Sequence, residues 1–112
     1  MAKLETTLYG SLDAWIDKIE TGIVHGSVSA SLEDGSDYCS ADGQIRCSVR
    51  VFERYSMIGG NRVSLNVTLF RDADGTMRCS AITAGGSQAT FFKINTFGEE
   101  SFLDCFREIV EP

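Results

Sequence analysis

Between Gln44 and Phe70 the chain alternates almost strictly, with a Gly59-Gly60-Asn61 turn in the middle. Ile45, Cys47, Val49 and Val51 form one set. Arg46, Ser48, Arg50, Phe52 and Arg54 form the other. Beyond the turn, Val63, Leu65, Val67 and Leu69 alternate with Arg62, Ser64, Asn66, Thr68 and Phe70. Side chains on a strand point to opposite faces with period two, so this pattern admits two long strands and excludes a helix. It predicts an antiparallel hairpin with one apolar and one polar face.

The remaining elements fall around that hairpin. Residues 3–9 read as a first strand, with Leu4, Thr6 and Leu8 on one side. Ser11 is a helix N-cap, because its hydroxyl can accept from a free backbone N–H. Leu12, Trp15, Ile16, Ile19 and Ile23 then make a helical apolar stripe, with Gly22 as the residue just past the end. Val28, Ala30 and Leu32 alternate with Ser27, Ser29, Ser31 and Glu33 as a second strand. Asp-Gly at 34–35 and at 42–43 are both turn signals, so residues 34–43 are a short strand or an excursion.

The last hairpin carries a register. A three-residue Ala73-Asp74-Gly75 loop pairs Asp72 with Thr76, hence Phe70 with Arg78, Thr68 with Ser80 and Asn66 with Ile82. A two-residue turn would mix the faces, since a one-residue slip moves every side chain to the wrong side. Phe70 opposite Arg78 predicts a cation–π contact of about 0.5–1 kcal/mol. Residues 85–95 read as a further short strand. Thr96 and Glu99 match a capping box for a last helix carrying Phe102, Leu103, Phe106, Ile109 and Val110. Trp15, Phe102 and Phe106 are the expected anchors between helices and sheet.

At 112 residues the chain is expected to be one domain, 1–112. The order β-α-β(4–5)-α gives an α+β fold, a curved antiparallel sheet with two helices on one face. This layout resembles the TATA-binding-protein-like and helix-grip folds. The segments Glu53-Arg54-Tyr55-Ser56-Met57-Ile58-Gly59-Gly60-Asn61-Arg62, Gly85-Gly86-Ser87-Gln88 and Phe91-Phe92-Lys93-Ile94-Asn95-Thr96-Phe97-Gly98-Glu99-Glu100 resemble a family of small bacterial proteins of unknown function. That resemblance implies no activity.

Charge and cysteine use narrow the function classes. A net charge of −6 disfavours nucleic acid, whose phosphates repel a protein of that sign. Apolar runs are too short for a membrane span. Met1-Ala2-Lys3-Leu4-Glu5 has no apolar signal core, so a cytoplasmic setting is expected. Cys39, Cys47, Cys79 and Cys105 then stay reduced, and their gaps of 8, 32 and 26 residues match no metal-binding spacing. No metal and no cofactor is expected.

Arg46, Arg50, Arg54 and Arg78, interleaved with Ser80 and with Phe52 and Phe70, form the candidate site for a ligand or partner. Guanidinium groups above hydroxyls suit a phosphate, a carboxylate or an acidic surface. The plain alternative is a solvent-facing polar side, and Arg mixed with Phe also suits self-association into a homo-oligomer. A non-catalytic binding or self-associating module is the leading expectation. A second is a small apolar-ligand carrier, with a pocket between sheet and helices lined by Val49, Leu65 and Val67. A third is an enzyme built on Glu53 and Tyr55, with His25 converging on them. Gly85-Gly86-Ser87 is a weak anion-cradle signal without the rest of a phosphate-binding loop.

Overall fold

A computed structural model describes residues 1–55, 62–85 and 92–111, and for 92–97 the backbone alone. The elements run β1 (Ala2–Leu8), α1 (Leu12–Gly26), β2 (Ser31–Cys39), β3 (Arg46–Tyr55), β4 (Arg62–Arg71), β5 (Met77–Gly85) and α2 (Phe92–Val110). The strands form one antiparallel sheet in the order β1-β5-β4-β3-β2. The fold is therefore α+β, as the order of elements predicts. Both helices lie on one side of the sheet, and the other side carries neither. The Gly59-Gly60-Asn61 turn and Gly86-Ser87 lie outside the described residues.

The β4–β5 hairpin takes the predicted register, with Phe70 beside Arg78, Thr68 beside Ser80 and Asn66 beside Ile82. The Asp72 amide donates to the Thr76 carbonyl at 2.8 Å, and Gly75 adopts φ +89°, which a side chain would resist. Arg78 sits 5.6 Å from the centroid of Phe70.

Three boundaries differ from expectation. Helix α1 begins at its predicted cap, where the Ala14 amide donates to Ser11 Oγ at 3.2 Å, but it continues a full turn past Gly22. Gly22 instead leaves room for α2: a Cβ there would lie 2.6 Å from Ile109 Cδ1, which would have to shift. Helix α2 already begins at Phe92, so it absorbs part of the expected strand and takes Thr96 and Glu99 into its body. A short apolar run such as Phe91-Phe92-Lys93-Ile94 does not separate helix from strand by period alone. Strand β2 starts at Ser31 rather than Ser27, because Ser27–Ala30 turn the chain with Ser29 at φ 68°. It then runs through the first Asp-Gly signal, with a bulge between Leu32 and Asp34. The second closes the turn to β3, where Gly43 adopts φ 75°.

The largest correction concerns β3. Its partners in β4 run Arg46 with Arg71, Ser48 with Leu69, Arg50 with Val67 and Phe52 with Leu65. Directly paired residues share a face. The polar set of β3 therefore lies on the same side as the apolar set of β4, beneath the helices. Phe52 is fully buried there beside Val63, Leu65, Val67 and Leu69, with Phe102 and Phe106 of α2 in the same core. Cys47, Val49 and Val51 point the other way. Trp15 sits at the margin of this core, donating its Nε1–H to the Tyr9 carbonyl at 2.8 Å.

Candidate functional site: the uncovered sheet face

The seven expected site residues divide between the two sides of the sheet. Arg46, Arg50, Arg54 and Phe52 face the helices, while Arg78, Phe70 and Ser80 face away. They do not form a single surface.

The three inward arginines are engaged with the protein itself. Arg46 makes two hydrogen bonds to the Asp13 carboxylate on α1, at 2.9 and 3.1 Å. Arg50 donates to Glu20 of α1 at 2.7 Å and to Asp37 of β2 at 3.1 and 3.2 Å. Ser48, itself buried, donates to the same Asp37 at 2.7 Å. Arg54 reaches Ser27 and Ser101, and its guanidinium lies 4.5 Å from the Phe102 centroid. Burial opposes the Arg50 charge, yet the Glu20 and Asp37 hydrogen bonds outweigh it and raise its pKa. Hydrogen bonds from Ser48 and Arg50 hold Asp37 below the usual carboxylate value, and Arg46 does the same for Asp13. Arg46 and Arg50 bind α1 to the β2–β3 edge of the sheet through carboxylates, while Arg54 is held by serine hydroxyls and the Phe102 ring of α2.

Gly35 makes the Arg50 bridge sterically feasible. It pairs with Arg50 across β2 and β3, and a Cβ there would stand 2.8 Å from Arg50 Cδ and 2.9 Å from the Val49 carbonyl. The bare backbone lets the guanidinium lie across the edge strand.

The uncovered face is a grid that follows from the four pairings. One row reads Thr7, Arg78, Phe70, Cys47, Tyr38 from β1 to β2. The next reads Glu5, Ser80, Thr68, Val49, Ser36, and the third Lys3, Ile82, Asn66, Val51, Asp34. Phe70, Cys47, Val49, Val51 and Ile82 are only part-buried, and Tyr38 is 65% exposed. A shallow depression of about 330 Å³ is lined by Glu5, Thr68, Phe70, Arg78 and Ser80, together with Cys79. Arg78 itself remains well exposed, with Asp72 at 3.5 Å. Tyr38, Cys47, Val49, Val51, Phe70 and Ile82 are the apolar residues of these rows. Cys47, Val49 and Val51 were missed as site residues because the β3 alternation was assigned to the core, and Tyr38 and Ile82 were not among the seven either. The face that Val49 occupies follows only from the β3–β4 register.

Other candidates separate. Val49 lies on the outer face whereas Leu65 and Val67 are fully buried on the inner one, so no internal pocket is lined by all three. Glu53 and Tyr55 share the outer face, where Arg62 pairs with Glu53 at 3.1 Å and lies 5.3 Å from the Tyr55 centroid. His25 sits in the last turn of α1, across the sheet from both. Cys79 is buried, which pushes its thiol pKa up to about 12. Among the described residues, no group of His, Cys, Asp and Glu is placed to hold a metal ion. No helix of the described residues is long and apolar enough to cross a membrane.

Two helices over one face of a five-stranded antiparallel sheet, with no described element over the opposite, partly apolar face, define a small α+β protein. The chain belongs to the Family of unknown function (DUF6054), whose model matches residues 1–112. No curated protein and no solved structure matches it.

Proposed function

We propose that this chain is a non-catalytic binding module whose working surface is the uncovered sheet face. One observation carries the reading: β3 turns Cys47, Val49 and Val51 away from the helices, toward Phe70 and Ile82. Exposing three apolar positions of a central strand forgoes burial worth about 25 cal/mol per Å². The inner side of β3 instead holds Arg46 and Arg50, which consume carboxylates, and Arg54, which lies on Phe102. A contiguous apolar patch with a polar rim is the usual mark of an interaction surface. The setting proposed with this module is the reducing cytoplasm, where the four cysteines stay thiols.

Cys47 is a reporter built into that face. Its alkylation rate by iodoacetamide is to be compared between dilute purified protein and intact expressing cells, with buried Cys79 as the internal control. Slower labelling of Cys47 in cells, reversed by Val49→Glu, is the expected result. Equal labelling in both settings would remove the reading.

A further inference from the structure

We infer that the occupant of the uncovered face is a second copy of the same chain, packed sheet on sheet about a two-fold axis parallel to the strands through β4. This rests on the uncovered face being the working surface, and it names the partner.

The inference follows from the grid. Such an axis exchanges β1 with β2 and β5 with β3, and leaves β4 facing β4. Lys3 of one copy then meets Asp34 of the other, twice by symmetry, at the two ends of one row. Ile82 meets Val51, and Phe70 meets Phe70 on the axis. Lys3 contacts Glu5 at 2.7 Å in the single chain, yet its side chain remains 56% exposed and available. The alternative two-fold, perpendicular to the strands, sets Phe70 against Asn66 and Arg78 against Ile82. It packs Val49 on Val49 and Cys47 on Val51, but it stacks Glu5 on Glu5 and leaves Lys3 against Thr7. Charge matching therefore selects the first axis, which brings each Lys3 to an Asp34 and sets Glu5 against Ser36. It also keeps the strands of the two sheets aligned, one of the two common ways that sheets stack.

The area suffices for a weak, specific pair. Five strands about 4.8 Å apart and about 23 Å of strand length cover about 550 Å² per copy. Both copies together bury about 1,100 Å², just above the threshold for a specific interface. The acidic net charge opposes approach, and Lys3–Asp34 pairing offsets it at the contact. A dissociation constant of about 1–100 μM suits an interface at the small end of the range.

Sedimentation velocity from about 1 to 200 μM tests the proposal, a span set by that expected affinity. The wild type is expected to shift from monomer to dimer across the range. Val51→Glu is expected to weaken the dimer at least tenfold with an unchanged melting temperature. Lys3→Glu and Asp34→Lys are each expected to weaken it, and the double exchange to restore it. A wild type that stays monomeric at 200 μM overturns the second copy as occupant. So does a dimer indifferent to Val51→Glu, or a double exchange without rescue. Native mass spectrometry showing a small molecule or a different protein on the face overturns it as well. If Cys47 is nevertheless shielded in cells and Val49→Glu reverses this, the binding-module reading stands and only its partner is wrong. If Cys47 is equally open in both settings, both fall.

Discussion

A single side chain, Arg50, shows why an alternating strand does not declare its inner face. Its guanidinium sits between α1 and β2 and serves Glu20 and Asp37 at once. Its long aliphatic stem covers apolar surface while its head reaches the margin of the core. Arginine on the helix side therefore costs little when carboxylates wait there. Asp37 makes this testable by pH. Its folded pKa lies below the unfolded value, first because of Ser48 and then because of Arg50. The stability it contributes is present above the unfolded aspartate pKa of about 3.9 and lost as pH falls through the lower folded value. In urea denaturation, wild type is expected to exceed Asp37→Asn by most near pH 6, with the gap closing toward pH 2. A gap that stays constant with pH would mean that the carboxylate charge is not what Asp37 contributes.

At the scale of elements, the strand positions and the β4–β5 register were legible because turn chemistry and period two are local signals. The Asp72–Thr76 pairing followed from a three-residue loop ending in Gly75, which the alternation of the flanking strands selects over a two-residue turn. The phase of β3 was not legible, because it depends on which of two half-apolar faces the helices cover. Phe52 decides much of that, since it is larger than any one of Cys47, Val49 or Val51 and goes to the core. Asp13 and Glu20, three and four residues from the stripe's Ile16, supply the complementary charges. Of the expected site, only Phe70, Arg78 and Ser80 remain on the face now proposed to bind, and those three came from the hairpin with the readable turn. Chemical denaturation separates the two faces. Phe52→Ala is expected to cost about 3–5 kcal/mol, as for a fully buried phenylalanine. Val49→Ser is expected to cost less than about 1 kcal/mol, as for a partly exposed site. Reversed magnitudes would mean that β3 is turned the other way.

At the scale of the whole molecule, the sheet ends in two edge strands, β1 and β2. An edge invites further strands to pair, and β2 is guarded by Glu33, Asp34 and Asp37 together with its bulge. Growth of the sheet edge to edge through β2 is thus resisted, while its flat face stays open. The inner layer is also unequal across its width. Over β1, β5 and β4 the contacts to α2 are mainly apolar, through Leu65, Leu69, Met77, Phe102 and Phe106, with buried Glu99 paired to the N-terminal amine at 2.9 Å. Over β3 and β2 they are ion pairs to α1, and the Asp13 end is largely exposed.

The Arg46, Arg50 and Asp37 pairs therefore grade the molecule in its order of opening. Salt shortens the reach of charge from about 10 Å at 0.1 M to about 3 Å at 1 M, and weakens exposed pairs first. Apolar packing does not share that sensitivity. Raising sodium chloride between those concentrations is expected to speed amide exchange in β2 relative to β4 and β5. Uniform change along all three strands would point to a single cooperative unit. An excursion that frees β2 alone leaves the β1-β5-β4 half and its apolar seam with α2 closed, so partial unfolding starts at one margin and stops at the seam.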